Sequence, residues 1–216
     1  MNNVSKRIFI TATNTDIGKT YVTTHLLQHY ANLGYRVGVI KPIETGVVDT
    51  PIDGSSLLTL VQKLNPLMEK VTIDDIVPIQ FTLPAAPYCA NNAQDITLEV
   101  VDKAIAKLEP LCDILIIEGA GGLYVPIDKN TMIIDLIARY SAKTLLVSHC
   151  RLGCINDTIL SINALASRNY DFTWTLNCHN NDVNFSEVSE PYFRDNYPDF
   201  TIFSKDISHI AQTLLL

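Results

Sequence analysis

Gly18-Lys19-Thr20 follows a short apolar run and opens an amphipathic stretch, and in that setting the triplet is chemistry for a polyphosphate. Backbone N–H groups of the turn Thr15-Asp16-Ile17-Gly18 and of the first helical turn converge on phosphate oxygens. Lys19 supplies a point charge, and the Thr20 hydroxyl is a ligand for magnesium. The strict Walker pattern is not met, because Thr13 stands where that pattern has its first glycine. The strand before the turn and the helix after it therefore carry much of the reading.

Three further residues fit the same chemistry. Glu118 closes the apolar run Ile114 to Ile117, where a carboxylate would neutralise and orient magnesium beside a triphosphate. Its alternative is a strand-end acid facing solvent. Lys41 ends another apolar run and precedes Pro42, which holds it on a stiff stem. Two lysines around a terminal phosphate would stabilise the transferred oxygens and an anionic acceptor, the alternative being a surface lysine. Asp53 reads equally well as a second metal carboxylate or as a helix N-cap. No serine, histidine and acid are spaced as a nucleophilic triad. His25 and His29 lie four apart but lack the glutamate of a zinc-protease helix, and read as surface or interface residues.

The elements that must position these groups alternate between short β-branched runs and longer helical patterns, the signature of a parallel sheet covered by helices. Strands are expected at 8–12, 36–40, 114–117, 144–148 and 172–176, with a weak one at 200–203. Helices are expected at 19–33, from 53 or 55 to 64, from a Thr97 cap to 108, at 155–166 and from 207. Residues 44–54 and 78–92 read as loops, and 179–199 as a polar, turn-rich region. Ligands collect beyond the carboxyl ends of strands in such sheets, and polar or glycine-rich residues follow every predicted strand up to the fifth.

The chain has 216 residues, of which 47% are hydrophobic, enough for one domain with a sizeable core. A net charge of −7 argues against a nucleic-acid or membrane surface, whereas a small anion needs only local cations such as Lys19 and Lys41. With no secretory segment ahead of the first strand and no bilayer-length apolar run, a cytoplasmic protein is expected. Five scattered cysteines without a CxxC pair argue against a disulfide scaffold or structural zinc. Cys150 and Cys154, beside His149, read as packing residues.

Several separated segments resemble the dethiobiotin synthetases, members of the P-loop NTPase superfamily. They are Thr13 to Thr20, Lys41-Pro42-Ile43-Glu44-Thr45-Gly46, Glu118-Gly119-Ala120-Gly121-Gly122-Leu123-Tyr124-Val125-Pro126 and Leu152-Gly153-Cys154-Ile155-Asn156. Ala86-Pro87 resembles the family's Ser-Pro pair. The resemblance implies an α/β fold: a single three-layer P-loop NTPase domain with a mostly parallel central sheet. It implies ATP as co-substrate and Mg2+ as cofactor, with CO2 or bicarbonate and 7,8-diaminononanoate (diaminopelargonate) as the other reactants. The partner implied is a second copy of the chain, with no nucleic acid or membrane.

Carried over by position, Lys19, Lys41 and Thr15 take catalytic roles. Asp16, Ile17, Gly18, Lys19, Thr20, Glu118, Gly119, Gly121, Gly122 and Asn177 belong to the nucleotide, with Asn177 at adenine. Thr20, Asp53 and Glu118 belong to magnesium. Lys41, Thr45, Pro87, Gly122, Leu123, Leu152, Gly153, Cys154, Ile155 and Asn156 belong to the diamine substrate, the last four as a helix start that receives its carboxylate across a two-fold interface.

Four departures stand out. Ala12 replaces a usual glycine; Gly54-Ser55-Ser56 follows Asp53 where many relatives have Ser-Asp-Ala; Glu44 adds a negative charge beside the site. The C-terminal third lacks a Gly-x-Ile-Pro segment, which predicts relaxed base selectivity. A partitioning or septum-positioning ATPase switch is the competing reading. It requires a signature lysine early in the phosphate turn, where this chain has Asn14.

Overall fold

Continuous burial of Ile114, Leu115, Ile116, Ile117 and Glu118 shows that one strand lies in the middle of the molecule with both faces covered. That strand, β5 (Ile114–Gly122), pairs in parallel with β1 (Lys6–Ala12) on one side and β2 (Val37–Ile40) on the other. Beyond β1 come β6 (Lys143–His149), β7 (Phe172–Asn177) and β8 (Thr201–Ile202), so the sheet order is β2-β5-β1-β6-β7-β8, parallel throughout. The computed structural model describes residues 5–179, 182 and 184–216. The expectation for 179–199 therefore falls partly outside the described residues, at 180, 181 and 183.

Four longer helices connect strands, α1 (Lys19–Asn32), α2 (Ile52–Leu64), α5 (Glu99–Leu108) and α7 (Cys154–Ala166), and α10 (Phe203–Leu215) follows the last strand. Short helices α3 (Ile73–Ile76), α4 (Pro87–Ala90), α6 (Asp135–Arg139), α8 (Phe185–Val188) and α9 (Glu190–Asn196) fill the connections. α1 buries Val22, Leu26, Leu27 and Tyr30, and the Tyr30 hydroxyl donates to the Ala211 carbonyl oxygen of α10 at 2.9 Å. This ties the first helix to the last across the main core.

The structure corrects the expected elements at several points. β5 does not end at Ile117 but runs through Glu118 to Gly122, so the acid lies inside a strand. Two three-residue strands, β3 (Ile43–Thr45) and β4 (Ile79–Phe81), form a small parallel sheet in segments expected to be loops. Thr97 is not the cap of α5: Leu98 occupies the N-cap position and no side chain bonds the helix start. The terminal helix begins at Phe203, with non-helical backbone at Asp206 marking where it kinks. Within 179–199, α8 and α9 bury Phe185 and Phe193 in a second aromatic cluster with Leu176 and the half-buried Trp174, Tyr197 and Phe200.

The cysteines need a correction too. Residue pairing of β6 with β7 sets His149 opposite Asn177, and the next residues, Cys150 and Cys178, form a disulfide with Cα atoms 5.0 Å apart. Cys89, Cys112 and Cys154 are free. One such link between two neighbouring strand ends is a local tie rather than a scaffold.

Candidate active site

The phosphate turn is shaped by left-handed backbone at Asp16 (φ 58°) and Gly18 (φ 94°), after which α1 begins at Lys19. Only glycine suits the second position, since a Cβ there would stand 2.2 Å from Asn177 Nδ2. That amide donates to the Ile17 carbonyl oxygen at 2.9 Å, so the buried Asn177 at the end of β7 braces the turn from behind. Thr15 and Asp16 are exposed on the rim, and the Thr15 N–H is held by the Asn14 side chain.

Lys19 is buried, with its Nζ donating to the Asn14 carbonyl oxygen at 3.2 Å. Burial lowers its pKa to about 8; Glu118, Asp53 and Asp16 oppose the shift, and Lys41 adds to it. Thr20 donates its hydroxyl to Glu118 Oε1 at 2.8 Å. Glu118 has no solvent exposure, and Lys41 Nζ donates to the same oxygen at 3.0 Å. Lys41 also donates to Asp53, in the first turn of α2. Burial pulls the Lys41 pKa down, but Glu118, then Asp53, pull it up more strongly, and the net shift is upward.

The strand order explains this meeting. Lys19 follows β1 and Lys41 follows β2, and both strands flank β5, which carries Glu118 between them. Thr15, Gly18, Lys19, Thr20, Lys41, Thr45, Asp53 and Gly121 all line one cavity of about 550 Å³. The solvent-facing alternatives for Glu118 and Lys41 are thereby excluded.

The glycines after Glu118 divide their work. Gly119 faces the interior, where a Cβ would meet Phe9, the Ile10 carbonyl and Ile133; Gly121 has φ 68° and lies on the cavity wall. Gly122 crosses close to the Thr13 carbonyl and, with Leu123, lines a second cavity of about 670 Å³ that also touches Thr13, Tyr124, Asp157 and Leu160. Pro87 is buried at the start of α4. Leu152, Gly153, Cys154, Ile155 and Asn156, at the start of α7, are not brought to the phosphate cavity within one chain. Gly153 has φ 97°, Cys154 is buried and Leu152 is 87% exposed.

Sequence reasoning missed His179, which lines the phosphate cavity, and the pairing of buried His149 with Asp157 (Nε2 to Oδ2, 3.0 Å). His149 ends β6 and Asp157 sits in the first turn of α7, a proximity that follows from the short connection between them. The sequence shows Glu44 only as an added negative charge. In the structure its carboxylate accepts from the backbone N–H groups of Asp53 (3.1 Å) and Gly54 (2.9 Å).

Among the described residues no three His, Cys, Asp or Glu side chains form a metal cage. The donors present nevertheless fit magnesium. Glu118 Oε2 is buried without a hydrogen-bond partner, and Asp53 and Thr20 add oxygen atoms nearby. Magnesium takes one or two protein carboxylates and completes its shell with phosphate and water oxygens, so a full protein cage is not required.

A parallel sheet with a glycine-turn lysine, a second lysine and a buried acid at adjoining strands defines a P-loop nucleotide-dependent protein of the α/β class. The AAA domain family model matches residues 6–192. The plasmid partition protein from Borrelia burgdorferi superposes with a TM-score of 0.56 over 98% of each chain at 15% identity. The MinD cell division protein from Aquifex aeolicus gives a TM-score of 0.52 over 97% of this chain and 87% of that one at 18% identity. Such likeness shows the shared fold alone.

Sequence relatives are more specific. The ATP-dependent dethiobiotin synthetase BioD of Sulfurovum sp. (strain NBC37-1) is 42% identical over 96% of this chain and 99% of its own length. The protein of the same name from Wolinella succinogenes is 35% identical over 97% and 98% respectively. The chain belongs to the ATP-dependent dethiobiotin synthetase family.

Proposed function

We propose that the chain joins CO2 to 7,8-diaminononanoate and closes the ureido ring with ATP, yielding dethiobiotin, ADP and phosphate. The observation that carries this reading is the convergence of Lys19 and Lys41, from separate strand ends, on one cavity beside Glu118 and Thr20. One amine of the diamine adds to CO2 and loses a proton, giving a carbamate. A carbamate oxygen attacks the γ-phosphorus as the bond to the ADP oxygen breaks. The second amine then attacks the carbonyl carbon of this mixed anhydride, expels phosphate and gives up its proton to the released phosphate.

The carbamate is already anionic, so phosphoryl transfer needs no strong general base, and the cavity offers charge and N–H groups instead. Lys19 lies at the start of α1, where the backbone N–H groups of the turn also hold phosphate oxygens. Lys41 stands between Asp53 and Glu118, placed to meet charge on the transferred group and the carbamate. Glu118, Thr20 and Asp53 would hold Mg2+, which would supply positive charge to offset that of the triphosphate.

The diamine is read as occupying the second cavity, with a two-fold-related copy of the chain completing it. Tyr124 and Leu160, on its wall, are 59% and 61% exposed, an apolar surface suited to a partner. Among the described residues no helix is long and apolar enough to cross a membrane. A cytoplasmic location is the reading that agrees with ATP use.

The test is phosphate release from protein, MgATP, bicarbonate and diaminopelargonate. Release that requires both bicarbonate and diamine supports the reading. Diamine-independent release stimulated by lipid or DNA would replace it with the ATPase switch.

A further inference from the structure

Glu44 is 8% exposed, lies on β3 two residues past Pro42, and lines the phosphate cavity. Its charge is not free. Its two carboxylate oxygens accept from the second and third N–H groups of α2, those of Asp53 and Gly54. The N-cap residue of that helix is Pro51, which has no side-chain acceptor, so the orphan donors of the first turn are satisfied by a different element. Gly54 leaves room for this contact, since a Cβ there would stand 2.2 Å from Val77 Cγ2 and 3.3 Å from Glu44 Oε2.

The consequence runs along a chain of contacts. Glu44 holds the backbone of Asp53; Asp53 meets Lys41; Lys41 meets Glu118; and Glu118 receives the Thr20 hydroxyl. Lys41 directly follows β2, and Glu44 lies three residues further on, within β3. The lysine and the carboxylate that clamps its partner's helix are therefore referenced to one stretch of backbone.

We infer that Glu44 is a positioning residue that ties the first turn of α2 to β3 and so fixes the Asp53 carboxylate at the metal and phosphate end of the cavity. This rests on the metal role for Asp53 given above. Glu44 acts through Asp53: its oxygens are turned to helix N–H groups rather than toward phosphate.

The experiment is a double-mutant cycle on the full chain with Glu44→Gln, Asp53→Asn and both together. The reading is the Mg2+ concentration that half-saturates binding of a non-hydrolysable ATP analogue, measured by titration calorimetry. Glutamine keeps one acceptor but turns an NH2 group toward the other helix N–H. Glu44→Gln is expected to raise the half-saturating Mg2+ about tenfold to a hundredfold, as for an outer-shell partner of a metal site. The double variant should match Asp53→Asn within about twofold, as coupled residues do. Losses that multiply would overturn the inference, as would no change with Glu44→Gln. If Asp53→Asn alone leaves the Mg2+ dependence unmoved, the metal role of Asp53 fails instead, and this inference with it.

A second variant separates positioning from plain helix capping. Pro51→Asp supplies a local cap for the same N–H groups, and in the Glu44→Gln background it should restore the melting temperature without restoring the Mg2+ dependence. Restoration of both would reduce Glu44 to an ordinary cap and overturn the inference.

Discussion

Lys19 carries a depressed pKa of about 8 because its ammonium is buried at the base of the phosphate turn. Only the protonated form attracts a triphosphate, so nucleotide affinity must fall as pH rises through that value. Lys41 is shifted upward and keeps its proton over the same range, and a terminal phosphate has completed its ionisation, leaving Lys19 as the titrating cation. Between pH 7 and pH 9 the protonated fraction of Lys19 drops from about nine-tenths to about one-tenth, which predicts a loss of about tenfold in affinity. Bound phosphate raises the lysine pKa, so binding at pH 9 must take up about 0.9 proton.

The assay is calorimetric titration of the full chain with a magnesium complex of a non-hydrolysable ATP analogue, repeated in buffers of different ionisation enthalpy to count protons. Lys19→Arg is the control, since its guanidinium stays charged and should flatten the profile. Affinity that is level from pH 7 to pH 9 with no proton uptake would refute the reasoning, because Lys19 would then be ordinarily basic or remote from phosphate.

Four other outcomes are expected. Thr20→Val removes the donor to Glu118 and the oxygen proposed for magnesium while keeping shape; Mg2+-dependent nucleotide binding should weaken about tenfold to a hundredfold, with an unchanged melting curve. Lys41→Ala should lower turnover by about a hundredfold or more, and steady-state rates near wild type would remove Lys41 from the mechanism. Gly54→Ala drives a Cβ into Val77 and toward Glu44, so it should destabilise by about 1–3 kcal/mol in denaturant melts despite alanine's helix preference. On the proposed two-fold dimer, Leu160→Asp puts a charge on the exposed apolar face; light scattering should show a monomer, and steady-state kinetics a raised KM for the diamine.

The sequence made some parts of this legible and withheld others for identifiable reasons. β1, β5 and β6 announce themselves because buried parallel strands are continuous apolar runs, and the glycine-lysine-threonine turn locates the phosphate end of β1. That Lys41 and Glu118 touch was not readable, since it depends on β5 lying between β2 and β1, a non-local pairing that no local pattern encodes. β3 and β4 escaped because three residues are too few for a periodic signal and their partners are distant in the chain. α9 escaped because its charged residues mask a Glu190-Pro191 start and the four-residue spacing of Phe193 and Tyr197. Glu44 was visible as a charge, but its partners are backbone N–H groups of a helix whose packing onto β3 is tertiary.

The lateral pitch of the sheet works as a ruler. Adjacent strands lie about 4.8 Å apart, so the ends of β2 and β1, with β5 between them, are separated by about 10 Å of rigid frame. In the proposed reaction the connections leaving those two ends must bring nucleotide and acceptor together within that interval. An altered acceptor must accordingly be accommodated by the connections above the frame, because shifting either strand would move the whole hydrogen-bonded ladder with it.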